Sequence, residues 1–273
     1  MMDIHKPIGV FDSGIGGLTV VKRLVEKLPN ERFVYFGDTA RVPYGAKSNE
    51  TVIEYALQDA RFLLSRNVKA IVVACNSASS VAIPALRAAF DVPVVGVIEP
   101  GARYASRKAP GGKIGVVGTR ATIDNRAYSR ALAAVNPDIT ILEKACPLFV
   151  PLAEEGWIDE EVTRLVAEKY LAELREANVD ALILGCTHYP LLADPIQAAV
   201  GENVVLVDSG VAAAEATAQE LNTLGLRSDL EGEGEREFFV SDVPTKFKEI
   251  AERFLGREIE KIRKVDLDTV RRR

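Results

Sequence analysis

Twice in this chain an apolar run ends in a small residue, a cysteine and small polar residues. The first is Val68-Lys69-Ala70-Ile71-Val72-Val73-Ala74-Cys75-Asn76-Ser77, and the second is Val179-Asp180-Ala181-Leu182-Ile183-Leu184-Gly185-Cys186-Thr187-His188. The same seven-residue step separates Val68 from Cys75 and Val179 from Cys186. A continuous apolar run of this length suits a parallel strand covered on both faces. Polar residues at its carboxyl end stand where open parallel sheets bind ligands. Two such units set side by side would present one thiol to each face of a ligand held between them.

The rest of the chain keeps the same rhythm. Apolar runs at 8–11, 33–36, 70–74, 94–98, 114–117, 139–142, 181–184 and 204–207 read as buried strands. Between them lie helix-period segments. Residues 49–66 carry a stripe of Val52, Ile53, Ala56, Leu57, Ala60, Leu63 and Leu64. Residues 159–178 carry Val162, Leu165, Val166 and Leu174, with Asp159 placed to cap the helix. Alternating strands and helices predict an α/β fold with parallel sheets.

The alternation also repeats. Ile8 matches Ile114, Gly101 matches Gly210 and Cys75 matches Cys186, at offsets of 106, 109 and 111 residues. Parallel strands resemble one another by default. That default does not account for matching order together with matching strand-end chemistry, so internal duplication is the better reading. The prediction is two similar parallel-sheet α/β domains, with the active site in the cleft between them. Glu99-Pro100-Gly101 reads as the linker, and the second unit runs to about Asp208. The remaining segment holds a helix at 212–221, a polar loop at 231–235, a strand at 238–240 and a helix at 245–255. It is too short for a core of its own. It is expected to pack back on the first unit, giving domains of 1–98 plus 209–273 and of 99–208.

Composition narrows the function. The chain has 273 residues, 48% hydrophobic and 27% charged, with a net charge of −5. That mild acidity argues against binding nucleic acid or an anionic membrane surface. The terminal Arg271-Arg272-Arg273 is too short to reverse it and reads as a frayed tail. No apolar segment approaches the ~20 residues of a membrane span, and no signal-peptide core precedes Ile8. A cytoplasmic location is expected, where the three cysteines stay reduced. Two histidines and three cysteines, without C-x-x-C or H-x-x-x-H spacing, point away from a metal site.

Several polar residues follow strands directly: Asp12-Ser13, Asp38-Thr39, Cys75-Asn76-Ser77, Thr119 and Cys186-Thr187-His188. Each of the matched cysteines is expected at the start of a helix, where free N–H groups lower a thiol pKa and bind carboxylate. Cys146 precedes Pro147, lacks a partner in the repeat and reads as structural. His188 is close enough to Cys186 to exchange a proton with it, whereas His5 reads as inert. Asp12-Ser13-Gly14-Ile15-Gly16-Gly17 is not a dinucleotide loop, because Thr19 stands where the third glycine belongs. It suits a tight turn with close backbone approach to a small anion. Asp12 leads into this loop, while Asp38 is open to reading as a simple cap.

Taken together, Phe11-Asp12-Ser13-Gly14-Ile15-Gly16-Gly17-Leu18-Thr19, Gly37-Asp38-Thr39-Ala40-Arg41-Val42-Pro43-Tyr44-Gly45, Ala74-Cys75-Asn76-Ser77-Ala78-Ser79, Gly118-Thr119-Arg120-Ala121-Thr122, Pro151-Leu152-Ala153-Glu154-Glu155-Gly156 and Leu184-Gly185-Cys186-Thr187-His188-Tyr189-Pro190 span nearly the whole chain. In this order they resemble the glutamate racemase family, within the cofactor-independent aspartate/glutamate racemase superfamily. The resemblance implies interconversion of L- and D-glutamate without a cofactor, supplying D-glutamate for peptidoglycan. It implies that Cys75 and Cys186 are the two catalytic acid/bases, with Asp12 assisting Cys75 and with His188 and Glu154 assisting Cys186. It implies a substrate site lined by Asp12, Ser13, Tyr44, Gly45, Asn76, Ser77, Thr187 and His188. Ser77 departs from the threonine usual in the family; the hydroxyl survives and a methyl is lost. A homodimer is an open expectation. Two rivals stand beside this reading: an aspartate racemase of the same superfamily, and a thiol redox protein using Cys75 and Cys186 as a couple.

Overall fold

The structure, a computed structural model, describes residues 3–243 and 247–266. Thr245, taken above as the start of the last helix, and Arg271–273 lie outside the described residues. Strands are β1 (Ile8–Asp12), β2 (Phe33–Gly37), β3 (Ala70–Val73), β4 (Val94–Gly96), β5 (Lys113–Gly118), β6 (Thr140–Ala145), β7 (Ala181–Gly185), β8 (Val205–Asp208), β9 (Arg236–Val240) and β10 (Ile262–Lys264). Helix α1 (Leu18–Lys27) follows β1 and α2 (Asn49–Ser65) follows β2. Helices α3 (Asn76–Ser79) and α4 (Ile83–Ala89) follow β3, and α5 (Ile98–Lys108) follows β4. In the second half, α6 (Arg120–Asp124) and α7 (Ala127–Val135) follow β5, while α8 (Phe149–Glu155) and α9 (Glu161–Glu176) follow β6. Then α10 (Ala193–Val200) follows β7, α11 (Ser209–Thr223) follows β8, and α12 (Phe247–Leu255) lies between β9 and β10.

All strands pair in parallel, in two sheets. The first has the order β10-β9-β2-β1-β3-β4 and the second β6-β5-β7-β8. The set β2-β1-β3-β4 thus recurs as β6-β5-β7-β8, the order that the sequence repeat predicts. In both sheets the cysteine-bearing strand lies beside the first strand of its unit. Phe11 is in register with Val73, and Gly118 with Gly185. The chain therefore leaves neighbouring strands at one level, and Asp12, Cys75 and their counterparts emerge at one edge.

The tail strand β9 pairs with β2, and β10 adds beyond it. The β10 strand was not foreseen, because Arg263 and Lys264 give it no apolar alternation; charge of this kind is common at a sheet edge. Helices α5 and α11 pack on each other, and α11 packs on α1. Their contact faces are built from small residues, Ala102, Ala105, Ala213, Ala214 and Ala218, all buried. One apolar cluster runs through this junction from Val20 and Leu24 to Ile183 and Val207.

Three local expectations need correction. The run at 94–98 ends as a strand at Gly96, and Val97 and Ile98 open α5. Glu99-Pro100-Gly101 is consequently the first turn of that helix rather than a linker. Proline is tolerated there because first-turn N–H groups have no intrahelical partner, and Glu99 suits the positive end of the helix. Asp159 does not cap α9: the cap position is Glu160, which makes no side-chain cap bond.

Candidate active site

Cys75 is the N-cap of α3, with φ −67° and ψ 120°, and its sulfur accepts the Ala78 N–H at 3.5 Å. The thiol donates to Ser13 Oγ at 3.6 Å. Burial, and then the Asp12 carboxylate, push the Cys75 thiol up to about 12. Cys186 is placed differently. It is followed by Thr187, His188 and a short 3-10 turn at Tyr189–Leu192, so the expected helix start is absent. In place of helix N–H groups it has an imidazole: His188 Nδ1 lies 3.8 Å from its sulfur.

His188 Nε2 lies 2.9 Å from Glu154 Oε1. Burial disfavours the charged imidazole, but hydrogen bonds to Cys186 and Glu154 and their charges outweigh it, and the pKa rises from 6.5 to about 10. A positive charge accordingly stands beside the Cys186 sulfur at neutral pH. The two thiols sit in opposite fields: Cys75 beside an acid and Cys186 beside a cation.

Both thiols line one cavity of about 60 Å³, room for a few waters. Its walls include Ser13, Tyr44, Gly45, Asn76 and Ser77 from the first unit and Thr119, Val150, Glu154, Thr187 and His188 from the second. Larger clefts of about 1120 and 630 Å³ open beside β4, but no cysteine lines either. Size therefore does not identify the site; chemistry does.

Every residue expected in the site meets this cavity except Asp12, which stands just behind its wall. Asp12 Oδ2 accepts the Gly14 N–H at 2.9 Å, and burial raises its pKa against the opposing pull of His188 and of backbone amides. Asp12 Oδ1 and Asn76 Nδ2 are buried without a hydrogen-bond partner among the described residues. One is an acceptor and the other a donor, as recognition of an amino acid requires. Asn76 Oδ1 accepts from Tyr128 at 2.7 Å, which fixes the amide with its nitrogen free.

Ser77 Oγ lies 3.0 Å from Thr119 Oγ1 and 3.5 Å from Thr122 Oγ1, so the hydroxyl that replaces threonine joins the two units. The Tyr44 hydroxyl lies within hydrogen-bond distance of both Asp38 and, at 2.9 Å, Asp59, with one proton to share between them; Arg41 donates to the same two carboxylates at 2.5 and 2.9 Å. Asp38 is thus the hub that fixes the Tyr44–Gly45 turn rather than a simple cap. Cys146 directly follows β6 and so also occupies a strand end, but it does not line the cavity. It is fully buried, with its thiol donating to the Lys144 carbonyl at 3.6 Å and pushed to about 12 by burial. His5 pairs with Asp229 at 3.6 Å. The apolar wall residues Val42, Pro43 and Val150 escaped sequence reading. Nothing in their type separates them from core, although Val42 and Pro43 lie inside the motif at 37–45 and Val150 borders the motif that begins at Pro151.

Among the described residues no cluster of His, Cys, Asp or Glu is arranged to hold a metal ion, and no helix is long and apolar enough to cross a membrane. Comparison with known proteins shows what the chain as a whole is similar to. The Asp/Glu/hydantoin racemase family matches residues 8–217. A glutamate racemase of Geobacter metallireducens is 51% identical over 263 residues, 96% of this chain and 97% of that protein. The crystal structure of a Francisella tularensis glutamate racemase in complex with D-glutamate superposes with a TM-score of 0.91 at 40% identity, covering 98% of this chain and all of that one. The Thermus thermophilus glutamate racemase in complex with β-chloro-D-alanine gives 0.88 at 48% identity, covering 97% and 99%.

Proposed function

Because the chain belongs to the Asp/Glu/hydantoin racemase family, we propose that it racemises glutamate, using Cys75 and Cys186 as opposed acid/bases and no cofactor. The observation that carries this reading is the pair of thiols from equivalent strand ends in one cavity, each with its own electrostatic partner. In one direction the Cys186 thiolate, beside the His188 imidazolium, takes the α-proton. The carbon becomes planar, its electron pair spread into the carboxylate. The Cys75 thiol then gives its proton to the opposite face and is left as thiolate. The reverse direction exchanges the roles.

The planar intermediate carries extra charge on its carboxylate oxygens. The free Asn76 amide and the hydroxyls of Ser13, Ser77 and Thr187 are the donors available to it. Cys75 begins as the proton-bearing partner because burial and Asp12 disfavour its thiolate. Release of its proton therefore requires relief of that field, and the ammonium of a bound amino acid supplies an opposing charge. Walls drawn from two units keep water from the carbanion, and the narrow cavity implies that they part to admit substrate.

The domain division proposed with this reading is 1–98 plus 209–273 and 99–208; the pairing of β9 with β2 supports it. D-glutamate formed in the cytoplasm would supply peptidoglycan. The test is a chirality assay on purified protein with L-glutamate and L-aspartate, without added pyridoxal phosphate, in deuterated water. Early D-glutamate should carry deuterium at Cα while the remaining L-glutamate stays mostly unlabelled. Turnover of aspartate alone would assign the related racemase instead. A reversible Cys75–Cys186 disulfide without turnover of either amino acid would assign the redox reading.

A further inference from the structure

Helix α12 belongs by chain position to the tail that extends the first sheet, yet its last turn lies against the catalytic pair of the second unit. Phe254 is buried, and its ring meets the His188 imidazole edge to face, with centroids 5.1 Å apart and planes at 83°. Arg253 donates from Nη1 to the backbone carbonyl of Glu154 at 3.2 Å and from Nη2 to Glu249 Oε1 at 3.3 Å. Glu154 is the next-to-last residue of α8, and Gly156 closes that helix in the left-handed region at φ +76°. A Cβ on Gly156 would fall 2.5 Å from Arg253 Nη1. Glycine at this point allows both the turn and the seating of a guanidinium over the free carbonyls at the negative end of α8.

The two contacts restrain different atoms. Phe254 sets the plane of the imidazole. Arg253 holds the turn that carries the Glu154 carboxylate. The Glu154 side chain is 39% exposed, so without a fixed backbone it would sample several rotamers and lose its 2.9 Å contact with Nε2. The other nitrogen must meanwhile stay within reach of the Cys186 sulfur. A ring held at both nitrogens and backed by an aromatic edge has little freedom left.

We propose that Arg253 and Phe254 are positioning residues for the Cys186 half of the reaction, holding the Glu154–His188 pair in register with the sulfur. This rests on the racemase reading above. By this route the tail acts on proton transfer at one thiol and not at the other. Among the described residues, the hydrogen-bond partners of Cys75 are Ser13 and Ala78, and the acid acting on it is Asp12; none of these lies on α12.

The test uses Phe254→Leu, which keeps bulk and loses the ring, Arg253→Met, which keeps length and loses the cation, and Arg253→Lys as the conservative rescue. Equilibrium between mirror images stays at unity, so any loss in kcat/KM is equal in both directions. Direction must be read from primary isotope effects with Cα-deuterated substrates. Family resemblance assigns the L-glutamate proton to Cys186. Phe254→Leu and Arg253→Met should lower kcat/KM roughly tenfold. The isotope effect should rise from L-glutamate and fall toward unity from D-glutamate, with recovery in Arg253→Lys. Isotope effects that move in parallel, or an unchanged kcat/KM, would overturn the proposal.

An independent readout uses the scarcity of histidine. His5 and His188 are the only two in the chain, so His5→Gln leaves a single imidazole for NMR titration. The groups that face His188 are Cys186, Glu154 and Asp12, with Arg253 behind Glu154. In the Phe254→Leu background the His188 midpoint should drop by about one unit as its two hydrogen bonds loosen. An unmoved midpoint would count against positioning. If the parent chain racemises neither amino acid, the functional reading fails, and this titration still decides whether α12 positions the pair.

Discussion

The His188 imidazole keeps its proton well above neutrality because Glu154 and Cys186 flank its two nitrogens in a buried setting. Its folded pKa of about 10 exceeds the ordinary 6.5, so its stabilising effect is full below 6.5 and is lost as pH rises through about 10. The difference in unfolding free energy between the parent chain and His188→Gln should therefore shrink across that window in urea melts; a constant difference would refute the raised pKa. For the thiols, Cys75→Ala and Cys186→Ala should each lower racemisation by at least ~10²–10⁴-fold, the range of a lost acid/base. Cys146→Ala should racemise at close to the parent rate, since its sulfur only donates to the Lys144 carbonyl. Retained turnover in either matched variant would refute the two-thiol scheme. The special standing of Cys75 and Cys186 was readable from their spacing. Their partners were partly readable too, since His188 stands two residues from Cys186 and the resemblance pairs Asp12 with Cys75. That only Cys75 caps a helix was not, because it depends on how the chain folds after each strand ends.

At the scale of elements, the turn from β1 into α1 does more than reverse the chain. Thr19 Oγ1 donates to the Thr187 carbonyl at 2.8 Å, and a Cβ on Gly16 would lie 2.2 Å from Thr187 Oγ1 and 2.5 Å from His188 Cε1. The glycine lets first-unit backbone touch the catalytic turn of the second. Gly16→Ala should displace that turn and lower kcat/KM by roughly tenfold to a hundredfold, the scale of a ~1 Å misplacement. Far-ultraviolet circular dichroism should stay unchanged; undiminished activity would show that the approach carries no function. The glycine loop was visible in sequence as a tight turn suited to a small anion; the structure adds a neighbour 171 positions away at Thr187. Strand positions transferred well because a buried parallel strand is nearly all apolar. The run at 94–98 misled for the same reason: an apolar helix start looks no different from a strand end.

Across the whole molecule, one buried ion pair ties the N-terminal segment and the segment after α11 to the first sheet. Lys69 Nζ lies 2.6 Å from Glu31 Oε2, and both side chains are fully buried. Lys69 also donates to the carbonyls of Ile4 and Leu226, and Glu31 accepts the Ser228 N–H at 2.9 Å. The pair joins the N-terminal segment, β3 and the segment that follows α11. Lys69→Met should leave buried Glu31 with only the more distant Arg227, 3.7 Å from Oε1, and cost up to about 3–5 kcal/mol in urea unfolding. A loss below ~1 kcal/mol, the range of an exposed pair, would mean that the site is solvated. The lysine stands directly before β3 in the first of the two cysteine-bearing runs, where nothing in the sequence set it apart.

By itself the sequence determined the period of strands and helices, the duplication and the matched cysteines. Each is a local or repeating pattern set by burial and by strand-end chemistry, and such patterns survive in one dimension. Tertiary structure alone decided which distant residues share a cavity. It set the distances and burial that tune the two thiols, and it brought Phe254 and Arg253 of the tail onto His188 and Glu154. These depend on how two sheets and their small-residue helices pack. A contact between residues 66 or 99 positions apart, as Phe254 is from His188 and Arg253 from Glu154, leaves no period in the sequence by which to find it.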